Sequence, residues 1–571
     1  MTNGWMRNAA GLLALAFSGA LALDGAASYL VSGIVVDSRS RSPLGNVRVS
    51  LAPTSARAQK LEQFTKRDGR FSFAVSEPGK YSLSMTKPGY PLQDYKQAGF
   101  AGVSSAIVVR DDQNTSRLVF EARLGSAITG LVKDEDSEPV GNALVTIFQS
   151  AIVEGDRRII FRGQTRANAF GEFRLSGLPR GNYYVCAMGR PWFADPIIQL
   201  QEMQGHGTQF HHAKAVPIDG ESAEPVPAAP KFSPDPVFRG TAFRTTFYPN
   251  AQSVDQASLL RLEAGSETQI SITLPLTSAV SVKAAINDPR ELGDGRAFLY
   301  KRVYDHSVSF LEEWVRRDKT FQFGNVPPGS YEIVAVSQAG AGASSWNIHE
   351  RVEVGASDME VTLRAQQMSS LAGRVLFEGE RPAAQPDLFV ALRNEKGGLV
   401  GAEVNTEGSF SLSRVPAGQY EVTGGNADYM AAYLTGPDSE RLPLSLTIPS
   451  GETIHRDLTL TRAVSTIDGT VENSGWPQIG AFVVLIPKDS AQRWGYRVDQ
   501  TDSDGSYHLG TIPSGDYSLI ALSDGEDVAY RDAKVGARLR EAAKAVRVEA
   551  GDHLELKLDL VGTATLKLPP L

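Results

Sequence analysis

A short turn-and-strand signature occurs five times along the 571 residues. A chain that repeats itself on this scale folds as a row of similar domains, because each copy is long enough to close its own core. The signature runs Gly-x-Val, a proline turn with an alternating strand, Asp-Gly-x-Phe, and Pro-x-Gly-x-Tyr. The first copy supplies Gly33, Val35, Pro43, Gly69, Phe71 and Tyr81; the second supplies Gly130, Val132, Pro139, Gly171, Phe173 and Tyr183. The fourth has Gly373, Val375, Gly408, Phe410 and Tyr420, and the fifth has Gly469, Val471, Gly505, Tyr507 and Tyr517. The third copy is degenerate. There Val280-Ser281-Val282 is read at the glycine position and Lys319 stands where the turn glycine is expected, while Phe321, Pro328, Gly329 and Tyr331 are kept.

The signature tyrosines 81, 183, 331, 420 and 517 lie 102, 148, 89 and 97 residues apart. Units of this length are domains rather than the shorter repeats of a solenoid. The pieces have mechanical meanings. Asp-Gly predicts a type I′ hairpin turn, with positive φ at both central residues. The Phe that follows points into the core, and Pro-x-Gly makes a sharp corner. The Tyr buries its ring and ties its hydroxyl to nearby backbone, as a tyrosine corner does. Alternating strands such as Tyr81-Ser82-Leu83-Ser84-Met85 complete an all-β reading. A short helix is expected over 533–547, where Ala, Leu and Arg cluster.

Composition narrows the class. Fifty-seven basic against 65 acidic residues leave a net charge of −8, which argues against nucleic acid as a partner. The single cysteine, Cys186, cannot form an intrachain disulfide, so the domains stand on their cores. Arg7 followed by an apolar run over 9–23 and small residues around Ala22 and Ser28 has the layout of a secretory signal peptide. The run is ~15 residues, short of the ~20 that span a bilayer. These readings give a signal peptide over 1–28 and β-sandwiches over 29–124, 125–275, 276–364 (degenerate), 365–462 and 463–571, with a loop insertion over 191–249 in the second. No membrane span is expected after signal cleavage.

The signature resembles the carboxypeptidase regulatory-like domain family. That resemblance implies seven-stranded, immunoglobulin-like or prealbumin-like β-sandwiches, similar to the B-type repeats of collagen adhesins and to starch-binding-like sandwiches. The first, second and fifth units meet the family pattern closely, with Lys66 and Asn168 where the family has Asp, and Tyr507 where it has Phe. Thr245-Thr246-Phe247-Tyr248-Pro249 is similar to segments of exported bacterial proteins of this kind.

A search for chemistry gives little. None of the eight histidines has Glu three residues on, so the zinc motif of a metallocarboxypeptidase is absent, as are the sequence motifs of serine hydrolases and phosphate-binding loops. His206, His211 and His212 read as loop residues, and Asp499-Gln500-Thr501-Asp502-Ser503-Asp504-Gly505 reads as a hairpin turn rather than a calcium loop. Trp476, Trp494 and Tyr496 are the candidate ligand-binding residues, since aromatic faces stack on sugars. Ten residues are read as architectural: Phe71, Tyr81, Phe173, Tyr183, Phe321, Tyr331, Phe410, Tyr420, Tyr507 and Tyr517. The resulting expectation is a non-enzymatic, exported string of domains with few contacts across their boundaries and no cofactor. It serves as a periplasmic, cell-surface or extracellular scaffold that binds an envelope protein or polysaccharide. The alternative is a carbohydrate-binding protein.

Overall fold

The structure is a computed structural model. It describes residues 29–54, 60–97, 103–111, 115–191, 240–288, 295–304, 306–316, 318–337, 346–379, 387–394, 399–426, 429–462, 465–489, 495–549 and 551–568. The segment read as a signal peptide, the three loop histidines and Trp494 lie outside the described residues.

The chain is all-β, as the repeats require. In the first module a three-stranded sheet joins Arg70–Val75, Tyr29–Asp37 and Leu118–Ala122. A five-stranded sheet faces it, built from Leu61–Phe64, Arg48–Pro53, Gly79–Lys87 and Tyr90–Asp94, with Ile107–Val109 on Gly79–Lys87. The second and third modules repeat this three-plus-five arrangement. In the fourth, Met430–Thr435 pairs with Asp457–Thr461 and joins the two sheets edge to edge; in the fifth, Leu558–Val561 does so. Each module opens with its Gly-x-Val strand, which pairs antiparallel with the Gly-x-Phe strand and parallel with the module's last strand. Five hydrophobic cores result, and all ten architectural aromatics lie in them.

The pairing explains the first glycine. Gly33 sits opposite Phe71, and a Cβ there would lie 2.2 Å from the Leu118 carbonyl oxygen and 2.8 Å from the Phe71 ring. Gly130, Gly373 and Gly469 sit opposite Phe173, Phe410 and Tyr507 in the same way. In the third module the residue opposite Phe321 is Ala284. The counterpart of Gly-x-Val is therefore Ala284-Ala285-Ile286, not Val280-Ser281-Val282. The backbone agrees, because Ile286 N–H donates to Lys319 as Val35 N–H donates to Gly69.

The hairpin turns are not type I′. In the first, Gly69 N–H donates to the Lys66 carbonyl and Lys66 N–H donates to the Arg70 carbonyl, and of the four turn residues Gly69 alone has positive φ, at 72°. That is a type I turn closed by a left-handed residue, the three-residue hairpin loop with a bulge. The same two bonds recur at 168–172, 316–320, 405–409 and 502–506. In the third copy Lys319 takes the left-handed position at φ 63°.

Two further expectations change. The helix covers Ala533–Ala542, capped by Asp532, whose carboxylate accepts from Lys534 and Val535 N–H at 2.9 and 3.0 Å. Lys544–Val548, expected to continue it, is a strand paired with Gly515–Leu522; its alternating Val546 and Val548 face the core, and that burial outweighs helix propensity. At the end of the span read as a loop insertion, Thr241–Phe243 pairs with Leu276–Ser278 and Thr246–Phe247 pairs with Cys186–Ala187.

Modules also meet. Between the second and third, Leu144, Phe148, Cys186, Met188, Phe247, Val303 and Val308 form a further buried cluster. The first and fifth modules touch although about 400 residues separate them in sequence. The expectation of few contacts across boundaries is thus corrected, because apolar side chains pack between the second and third modules and the 502–504 turn of the fifth hydrogen-bonds to the first.

Candidate functional site

The signature residues serve architecture. In all five modules the tyrosine hydroxyl donates to the carbonyl four residues back: Tyr81 to Glu77, Tyr183 to Pro179, Tyr331 to Pro327, Tyr420 to Pro416 and Tyr517 to Pro513, at 2.6–2.9 Å. Burial raises the pKa of each phenol, so each hydroxyl is a fixed donor. These positions hold the corner between two strands and point no reactive atom at solvent.

The aromatic candidates separate. Trp476 is 75% exposed at the end of the Asn473-to-Trp476 turn. Tyr496 is buried, packs on Tyr530 with ring centroids 5.9 Å apart, and lies under the Arg531 guanidinium. The structure therefore does not bring Trp476 and Tyr496 onto one surface, and the alternation that pairs Trp494 with Tyr496 reaches beyond the described residues. Trp314, also exposed, carries the Arg296 guanidinium 4.7 Å over its ring. Among the described residues no group of three or more His, Cys, Asp or Glu is placed to hold a metal ion. Cys186 is fully buried in the cluster between the second and third modules, and burial pushes its thiol up to about 12.

What does converge lies between modules. The loop read as a hairpin turn, Asp502-Ser503-Asp504, docks on the first module. Asp502 Oδ1 accepts Ala106 N–H at 2.8 Å, and Oδ2 pairs with Lys80 Nζ at 2.6 Å. Ser503 Oγ accepts Val108 N–H, Ser105 Oγ donates to the Thr501 carbonyl at 2.7 Å, and Asp504 pairs with Arg110. Tyr530 and Arg531 of the fifth module reach the second: Arg531 N–H donates to the Gly155 carbonyl at 3.1 Å, and the Tyr530 ring lies where a Cβ on Gly155 would be. Gly125 N–H donates to the Gly89 carbonyl where the first module meets the second.

These contacts frame a cleft of about 680 Å³ between the first, second and fifth modules, within the ~300–1,000 Å³ usual for ligand sites. Its walls come from Pro91–Gln97 and Val119–Leu124 of the first module, the hairpin around Ile152 and Arg157 and the corner around Arg180 in the second, and Asp527 of the fifth. Sequence reading missed it because its residues are spread from 91 to 527 and share no motif. Its apolar part, Leu92, Val119 and Leu124 at 69%, 42% and 38% exposure, shows only in the structure.

Residues 30–121 match the family model of the carboxypeptidase regulatory-like domain. The comparison with curated proteins gives no match. Similar solved structures include a streptococcal ancillary pilin, at 10% identity over 49% of this chain and 99% of that one, with a TM-score of 0.18. The major pilin subunit BcpA of Bacillus cereus is 12% identical over 76% of this chain and 99% of its own, at 0.13. Two B repeat units of the collagen-binding protein of Staphylococcus aureus are 10% identical over 70% and 93%, at 0.13. The chain carries a carboxypeptidase regulatory-like domain over residues 30–121, the first in a tandem series of β-sandwich repeats.

Proposed function

We propose that the protein is an exported, non-enzymatic binding and scaffold protein of the cell envelope or surface. The observation that carries this reading is the use made of the repeated residues. In five modules the same Phe or Tyr and corner Tyr are spent on closing a sandwich, each ring in a core and each corner hydroxyl on its own backbone, and in four of them a strand glycine makes room for the facing aromatic. A fold repeated so faithfully for its architecture supplies surfaces and spacing, and function then lies in what the surfaces between repeats bind. The leader expected over 1–28 sends those surfaces out of the cytoplasm.

The test is fractionation of bacteria expressing the whole chain. The mature protein is expected outside the cytoplasm, beginning after Ala22 or Ser28, and envelope crosslinking should capture a defined partner. Recovery of the chain in the cytoplasm with Met1 intact would sink the reading. The carbohydrate alternative retains one specific support, the exposed indole of Trp476. Glycan-array binding that disappears in Trp476→Ala would favour it.

A further inference from the structure

We propose that the cleft between the first, second and fifth modules docks an acidic polypeptide segment with aliphatic side chains. The proposal rests on the reading of the chain as a binding protein and adds the place and the partner's chemistry.

Charge comes first. The cleft is lined by Lys96, Arg123, Arg157, Arg162, Arg180 and Arg261, against Asp94, Glu121, Glu263 and Asp527. This local excess of positive charge stands out in a chain whose net charge is −8. Glu263 pairs with Arg261 at 2.9 Å and Asp527 with Arg180 at 3.9 Å inside the cleft, while Glu121 pairs with Arg41 outside it, so the excess of cations over carboxylates survives these pairs. A net positive concavity raises the local concentration of anions and orients them on approach.

Shape and polarity then select among anions. Leu92, Val119 and Leu124 leave aliphatic surface beside the cations, which suits a ligand carrying carboxylates and aliphatic groups together. An acidic glycan is the weaker fit, because Tyr95 is the one aromatic residue of the lining and it is buried. The outermost strand on that side, Tyr90–Asp94, does not itself offer a backbone ladder, because Pro91 has no N–H, its carbonyl accepts Gln93 Nε2 at 3.2 Å and Asp94 N–H donates to Gln97 Oε1 at 3.3 Å, so recognition falls to the side chains.

The experiment uses the full chain and fluorescence anisotropy. The probe is a labelled hexapeptide alternating aspartate and leucine, with a lysine–leucine hexapeptide and oligogalacturonate as comparators. The acidic peptide is expected to bind, more weakly as salt rises, while the basic peptide does not. Arg157→Glu reverses an exposed charge and should weaken binding about five-fold at low salt; Arg157→Lys should retain it. Leu92→Asp should abolish binding, and both sites are exposed enough to leave the fold intact, which circular dichroism would check. Equal binding of both peptides, no response to either substitution, or binding of oligogalacturonate alone would each overturn the proposal. Purified protein separates the two readings. A failure here with the protein still outside the cytoplasm removes the cleft assignment alone, whereas peptide binding by a cytoplasmic chain removes the surface role alone.

Discussion

Tyr420 shows what one corner residue contributes. Its hydroxyl donates to Pro416 at 2.9 Å while its ring fills the fourth core. Tyr420→Phe removes only the bond and should cost ~1 kcal/mol. Tyr420→Ala removes the ring as well and should cost ~3–5 kcal/mol, a large part of the ~5–15 kcal/mol that holds a domain. Limited proteolysis should find new cleavage within 365–462 for the alanine variant and not for the phenylalanine one. A second residue gives a pH test. Glu332 is buried on the outer face of the third module, yet its pKa is held at about 2. Burial alone would raise it; bonds from Ser307, His349 and Arg302 outweigh that. A folded pKa below the unfolded value of ~4.3 means the stabilisation is whole above pH ~4.3 and is lost as pH falls towards about 2. Glu332→Gln should flatten the acid limb of the third module's stability, followed by hydrogen exchange between pH 5 and 2. The corner tyrosine was legible because Pro-x-Gly-x-Tyr is a local signal. Glu332 was not, since Arg302, Ser307 and His349 reach it only through strand register.

At the scale of elements, the repeated hairpin depends on one left-handed position. Gly69 has φ 72°, and a Cβ there would lie 2.6 Å from the Val35 carbonyl oxygen. Gly69→Ala should therefore cost ~2 kcal/mol or more: ~1–2 kcal/mol for the conformation, and further for the crowding. Denaturant unfolding of the first module, followed through its hydrogen exchange, measures it. The sequence marked where this turn falls but not its type. Asp-Gly serves both a type I′ turn and a type I turn with a left-handed fourth residue, and the closing bond from Lys66 to Arg70 decides between them. The counterpart of Gly-x-Val in the third module differs from the sequence reading for a related reason. Val280, Val282, Ala284 and Ile286 all alternate inward, so apolar pattern alone fits more than one register, and the Ala284–Phe321 pairing selects one. Alternation in Lys544–Val548 was likewise present in the sequence, but it was hidden by helix-forming residues just before it.

At the scale of the molecule, the sequence shows five units and says nothing of their return on one another. The link between first and fifth modules is made by Asp502, Ser503 and Asp504, residues that an isolated turn would leave in water. Asp502 is the critical group, because it accepts Ala106 N–H and pairs with Lys80 while its own backbone closes the hairpin. Lys80 and Arg110 are about half exposed, so salt screens their share and each pair is worth ~1 kcal/mol at most. The bond to a buried backbone N–H is worth more when lost, ~1–3 kcal/mol, since Ala106 then has no acceptor. Asp502→Ala should thus loosen the first module's hold on the fifth, which then rests on Ser503, Asp504 and the Ser105–Thr501 bond, without unfolding either. Small-angle scattering should report a larger radius of gyration, and high salt should produce part of the same change in the unaltered chain. Cys186 provides the internal control. Its thiol is sealed in the cluster between the second and third modules, so it should stay unlabelled in Asp502→Ala under native conditions. Scattering that does not change, or labelling that appears with it, would mean that the modules are held by something other than this contact.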